Sequence, residues 1–144
     1  MKYFFDTSAL VKLYSSEDGS DKVRKIIMNP LSESYILELA IVELLSAVYR
    51  KFRNHEIAEK NIDPIHQAIN LQFEDFYIIP MAADVIKESK TLIQNFGKEF
   101  GLRTLDALHI AGWNLVAESD WQFVSSDKNQ LQVVDQMNWN TIAV

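Results

Sequence analysis

Four carboxylates in this 144-residue chain stand where a negative charge is awkward for folding and suited to chemistry: Asp6, Glu43, Asp106 and Asp127. Asp106 is the clearest case. It interrupts "LRTLDALHIA" (102–111), where Leu102, Leu105, Ala107, Leu108, Ile110 and Ala111 make a buried-helix pattern and His109 follows one turn on. An ionised carboxylate left unpaired among such neighbours costs several kcal/mol, so something must compensate it. Glu43 sits at helical spacing from Leu39, Ser46 and Ala47, near an inward stripe rather than a wet face. Asp6 and Asp127 close "KYFFD" and "FVSSD", two short apolar runs that read as strands.

Each acid also has an ordinary explanation. Asp6 and Asp127 could cap helices by accepting from free backbone N–H groups. Glu43 could form a salt bridge to Arg50 or Lys51, and Asp106 could pair with Arg103 or His109, each within a turn or two. Together these explanations strain. Two acids end strands, two lean inward from helices, and all four could meet at one end of a sheet. Clustered carboxylates repel, and some would take up protons unless positive charge is supplied. With few Lys or Arg nearby, a divalent cation is the economical answer. Hard oxygen ligands, no Cys and only three His favour Mg²⁺ or Mn²⁺ over zinc.

The elements that must position these acids follow from periodicity. "KYFFD" predicts a first strand. "TSALVKLYSSEDG" predicts a helix through Leu10, Leu13 and Tyr14 that closes at Gly19, and "SDKVRKIIM" a second with Val23, Ile26 and Ile27 inward. "SYIL" predicts a strand, and "ELAIVELLSAVYRKF" a strong helix with an inner stripe of Leu39, Val42, Ser46 and Tyr49. Residues 54–75 are polar and helical, with Pro64 suited to a first turn. "FYIIP" predicts a third strand, then a helix running into a loop around Gly97 and Gly101. The Asp106 helix is expected from about Leu102 to Glu118, followed by strand "WQFVSSD" and a fifth, "NTIAV". Alternating strands and helices predict an α/β fold: a mostly parallel central sheet of four or five strands with helices on both faces.

Composition narrows the function. Hydrophobic residues make up 48% and charged residues 24%, the balance of a globular protein. No apolar run approaches the roughly 18 residues of a membrane span, and no signal peptide or membrane association is expected. The absence of Cys is compatible with a reducing cytoplasm. With four Gly, neither a Walker loop nor a dinucleotide fingerprint can be assembled. The net charge of −6 means that any nucleic acid must be held by bound cations or a local basic patch, not by overall charge. Trp113, Trp121 and Trp139 are not interleaved with basic residues and read as core or subunit-contact residues.

"FFDTSALVKLY", "AIVELLSAVYR", "LRTLDALHIA" and "FVSSDKNQL" occur in an order and spacing that resemble PIN-domain nucleases, most of all the VapC-type toxins of toxin–antitoxin pairs. The resemblance covers essentially the whole chain and implies a single PIN-like domain over residues 1–144. It implies that Asp6, Glu43, Asp106 and Asp127 are the catalytic, metal-binding acids, holding Mg²⁺ or Mn²⁺. Ser8 matches a small hydroxyl near the first acid, and Ser125 a position where the family often has Thr; both are supporting residues. The family often places Ser five residues before its helical Glu, where this chain has Glu38, an extra rim acid or a solvent-facing one.

The activity implied is metal-dependent endoribonuclease cleavage of phosphodiester bonds, leaving 5′-phosphate and 3′-hydroxyl ends. The implied partners are RNA, a cognate antitoxin protein and a second copy of the chain as a homodimer. Arg50, Lys51, Arg103 and Lys128, with Arg53, are candidate RNA contacts at the rim, although cations at a helix C-terminus also favour the macrodipole without RNA. His109 reads as a packing or hydrogen-bonded histidine. The alternative function is a PIN-like protein-binding domain with weak or no nuclease activity. A phosphoacceptor domain ranks far behind, because "FYIIP" carries no acid on the strand that would need one.

Overall fold

The computed structural model describes residues 1–144, with five strands in one all-parallel sheet ordered β3-β2-β1-β4-β5. The strands are β1 (Lys2–Phe5), β2 (Glu33–Leu37), β3 (Phe76–Ile79), β4 (Gln122–Ser125) and β5 (Thr141–Ala143). Helices α1 (Thr7–Leu10) and α2 (Ser20–Ile27) join β1 to β2, and α3 (Leu39–Arg53) and α4 (Ile62–Glu74) join β2 to β3. Helices α5 (Ala83–Phe100) and α6 (Thr104–Asn114) join β3 to β4, and α7 (Lys128–Gln136) joins β4 to β5.

The period of two in the central strands divides the core. Tyr3 and Phe5 of β1, Ile36 of β2 and Val124 of β4 pack under α1–α4, against Leu10, Val23, Ala40, Leu44, Val48 and Ile69. Phe4, Leu37 and Phe123 face the other way, onto α5–α7, against Leu92, Ile110, Trp113 and Val133. Strands buried on both faces read as continuous apolar runs, which is why "YFF" shows no alternation. Phe4 stacks on its cross-strand partner Phe123 at 5.6 Å and meets the edge of Trp113 at 5.9 Å.

Several expectations shift. The first helix stops at Leu10 and tightens into a 3₁₀ turn, Val11–Leu13, where Lys12 turns inward to donate to the Asp18 carbonyl at 2.6 Å. Gly97 lies inside α5; Gly101 ends it, in the left-handed conformation (φ 63°) that glycine adopts without a Cβ penalty. Helix α6 is shorter than its apolar pattern, because Arg103 is still extended and Leu115 caps the other end.

The inner stripe of α3 is corrected. Ala40, Leu44, Ala47 and Val48 are buried, whereas Val42 is 67% and Tyr49 43% exposed. With apolar residues at nearly every position of "LAIVELLSAV", periodicity alone does not choose among neighbouring faces. The face observed is the one that sets Glu43 at the boundary of core and cleft.

Candidate active site

The chain steps from β1 outward to β2 and β3, then crosses back to lay β4 on the other side of β1. That reversal opens a crevice beyond the carboxyl ends of β1 and β4, the place where open α/β sheets take ligands. Asp6 follows the last residue of β1, and its N–H donates to the Val124 carbonyl at 3.2 Å. Ser125 ends β4 and Asp127 precedes α7. Glu43 comes from α3 on one face of the sheet, Asp106 and His109 from α6 on the other. All four acids line one cleft of about 580 Å³.

The capping and functional explanations of Asp6 and Asp127 prove compatible, because a carboxylate has two oxygens. Asp6 Oδ1 caps α1 by accepting from the Ala9 N–H at 2.9 Å. Its Oδ2 accepts from Ser125 Oγ at 2.8 Å and Gln130 Nε2 at 3.0 Å, while the Ser8 hydroxyl lies against both oxygens at 2.7 and 2.8 Å. Asp127 Oδ1 caps α7 through the Asn129 and Gln130 N–H groups at 2.8 and 3.1 Å, which leaves Oδ2 for the cleft. Ser125 is fully buried and supports Asp6 from beneath.

Asp106, 8% exposed, accepts from Arg103 Nε at 2.8 Å and from Gln130 Nε2 at 3.2 Å. The Arg103 pairing foreseen from helical spacing is therefore present, and the same guanidinium reaches Asp127 Oδ2 through Nη2 at 3.2 Å. Glu43 departs from expectation. It pairs with neither Arg50 nor Lys51, and Lys51 instead binds Glu56 at 3.0 Å and Glu17 at 3.5 Å. Glu43 Oε2 accepts from Thr7 Oγ1 at 2.5 Å and meets His109 Nε2 at 2.5 Å.

These surroundings tune the acids in opposite directions. Burial pushes the Asp6 carboxyl up; the His109 charge and the hydrogen bonds from Ser8, Ala9 and Ser125 only partly offset it. Burial would also raise Glu43. There the hydrogen bond and charge of His109, with the Thr7 hydroxyl, outweigh it and hold the carboxyl below its usual range.

Of the expected rim cations, Arg50 and Arg103 line the cleft, whereas Lys51 and Lys128 do not. Lys51 is committed to its two glutamates, and Lys128 points outward from the first turn of α7. Arg53 is exposed away from the cleft. Glu38 is not a rim acid either: its Oε2 accepts from the Met81 N–H at 2.9 Å, tying the start of α3 to the segment after β3. Sequence reasoning did not single out Thr7 or Gln130. Gln130 stands three residues after an N-cap Asp, the spacing of a capping box, and that ordinary pattern conceals its reach to two acids.

The donor set is hard oxygen throughout, carboxylates backed by hydroxyls, which fits Mg²⁺ or Mn²⁺ and not a thiophilic ion. The four acids share the cleft, yet no three His, Asp or Glu side chains close into a ready cage. The acids are held one by one: Asp106 and Asp127 by Arg103, Glu43 by His109 and Thr7, and Asp6 by Gln130 and two hydroxyls that offset its burial only in part. The tight mutual convergence expected of the quartet is therefore looser in this conformation.

A family model described as PIN domain matches residues 3–135. Among curated proteins, the chain is 25% identical over 108 residues to Ribonuclease VapC45 and to Ribonuclease VapC49 of Mycobacterium tuberculosis, covering 75% of this chain and 72% of each relative. Among solved structures, VapBC2 from Rickettsia felis bound to a DNA fragment from its promoter aligns over 100% of this chain and 99% of that one, with TM-score 0.68 and 14% identity. FitAcB from Neisseria gonorrhoeae aligns over 97% and 96%, with TM-score 0.69 and 13% identity. At these identities the structural matches speak to the fold alone.

Proposed function

The chain belongs to the PIN-domain family, and from that premise we propose that it is a metal-dependent endoribonuclease, the toxin of a toxin–antitoxin pair. The observation that carries this reading is the meeting of Asp6, Glu43, Asp106 and Asp127, from four separate elements, in one cleft at the switch point of the sheet. A core held only by packing gains nothing from four acids at one point. We read residues 1–144 as one PIN-like domain.

Asp6, Glu43, Asp106 and Asp127 would hold Mg²⁺ or Mn²⁺. Such an ion, when bound, supplies Lewis acidity to water and charge to the attacked phosphodiester. The chain's own residues do the rest. Ser8, Ser125 and Gln130 fix the orientation of Asp6, and Gln130 also ties Asp106 to it. Thr7 and His109 hold Glu43 ionised and in place. Arg50 at the cleft wall offers a cation to the RNA backbone. Its partners we read as an RNA substrate, supported by the relatives named ribonucleases, and a cognate antitoxin, supported by a structural neighbour solved as a toxin–antitoxin complex; a second copy of the chain is the third partner proposed, on the family resemblance. No helix is long and apolar enough to cross a membrane, and we assign the activity to the cytoplasm, where RNA is available.

The test is cleavage of a panel of RNAs by purified, antitoxin-free protein with Mg²⁺ or Mn²⁺, repeated with Asp6→Asn and Asp106→Asn. Cleavage that needs the metal and falls at least about a hundredfold in either variant is expected. Metal-independent cleavage that survives both changes overturns the reading. A protein that captures its partner and cuts no RNA is a binding domain instead.

A further inference from the structure

We propose that Arg103 is a built-in stand-in for the divalent cation, occupying its carboxylate ligands in the metal-free protein and leaving them when the ion binds. This rests on the reading of the four acids as a cation site. The Arg103 fork takes Oδ2 of Asp106 through Nε at 2.8 Å and Oδ2 of Asp127 through Nη2 at 3.2 Å. Those acids come from different elements, the first turn of α6 and the turn between β4 and α7. A single positive group joining them does what a shared ion does: it makes their joint ionisation tolerable.

The guanidinium and an ion are alternatives for the same oxygens. Each fork contact uses up a carboxylate oxygen that faces the cleft, since Asp127 Oδ1 is committed to capping α7 and Asp106 Oδ1 receives Gln130. Two positive charges within a few ångströms of each other also repel. All four acids line the cleft, and this one guanidinium holds two of them.

Arg103 is also built to leave. Its side chain is 69% exposed, while the Asp106 carboxylate beneath it is largely buried. Both of its side-chain hydrogen bonds are to these acids. Its backbone is extended (φ −94°, ψ 165°) at the N-cap of α6, two residues after the left-handed Gly101, and its side chain makes no helix cap. Withdrawal therefore breaks two ion-pair contacts and no element of the fold.

The experiment uses the full chain freed of metal with EDTA. Arginine Nε–Hε signals are followed by ¹⁵N NMR as Mg²⁺ is added, with the Arg103 signal assigned by its absence from Arg103→Lys. Mn²⁺ affinity is measured by calorimetry for wild type, Arg103→Gln and Arg103→Lys. The expected result is an Arg103 signal that moves or is lost with the midpoint of Mg²⁺ binding, and Mn²⁺ binding about tenfold tighter in Arg103→Gln. Arg103→Lys, which keeps the charge but cannot fork, falls between. Mg²⁺ binding that leaves the Arg103 signal unmoved, or unchanged or weaker Mn²⁺ affinity in Arg103→Gln, overturns the competition and leaves the cation site standing. No Mn²⁺ binding by any of the three proteins removes the site itself, and this inference with it.

Discussion

One amide nitrogen, Nε2 of Gln130, donates to Asp6 at 3.0 Å and to Asp106 at 3.2 Å, joining an acid at the end of β1 to an acid on α6. Gln130 is 3% exposed, and its Oε1 has no partner. The side chain is thus held for its two N–H bonds, which fix the separation of two like charges. Gln130→Leu keeps most of the bulk and deletes both donors. Activity is expected to fall about 10–100-fold, the usual cost of losing a group that orients ligands, with a raised Mg²⁺ requirement. Rates measured across a Mg²⁺ titration decide it; an unchanged Mg²⁺ midpoint would make Gln130 a packing residue only.

Glu43 offers a second test, because two groups hold one of its oxygens. Thr7→Val removes the hydroxyl while keeping the shape, and Thr7→Ser restores it. Activity is expected to fall about tenfold in the first and to stay within a few-fold of wild type in the second. His109→Ala removes the other partner, so the Glu43 carboxyl should rise toward its ordinary range, because the influences now holding it down come first from His109. Carboxyl ¹³C NMR of the metal-free protein reads that shift directly.

Asp6 carries a prediction in pH. Its folded carboxyl is raised by burial, so the native chain keeps a proton at pH values where the unfolded chain has lost it. The charged form therefore costs stability in full above the raised value, and the cost is relieved as pH falls through it. Asp6→Asn removes this dependence and still caps α1 through its side-chain oxygen. In EDTA, the variant's advantage in Tm over wild type should be widest at neutral pH and narrow on acidification. Glu43 titrates in the opposite sense but is common to both proteins, so the difference isolates Asp6. A gap that does not vary with pH would reject this account.

Much of this was readable because chemistry-bearing acids stand out against apolar surroundings. Asp106 within "LRTLDALHIA" and Asp6 after "KYFF" could be marked from their neighbours alone, and β/α alternation implied a sheet edge at which they meet. What stayed hidden depended on side-chain direction at distance. Periodicity could not choose the buried face of α3, where nearly every residue is apolar, and so misassigned Val42 and Tyr49. Gln130 and Thr7 are uncharged and stand in the first turns of their helices, where nothing in the neighbouring residues marks them. The bond between Glu43 and His109 spans 66 positions and is closed only by packing α3 and α6 on opposite sides of the sheet.

The helix that brings Asp106 and His109 to the cleft is seated by Gly112. A Cβ built there would lie 2.8 Å from Leu37 Cδ1, closer than side chains approach, while Leu37 itself is fully buried on β2. Gly112→Ala must therefore displace Leu37 or lift α6 from the sheet, with a stability loss of about 1–3 kcal/mol from overpacking. Lifting α6 also moves Asp106 and His109 away from Gln130 and Glu43, so activity should fall more than a surface change of equal stability cost would cause. Leu37→Val withdraws the obstructing methyl, and the double variant should recover part of both losses. Urea denaturation and RNA cleavage of the two single variants and the double variant, taken as a cycle, measure the coupling. Additive losses would mean that α6 is positioned by something other than this contact.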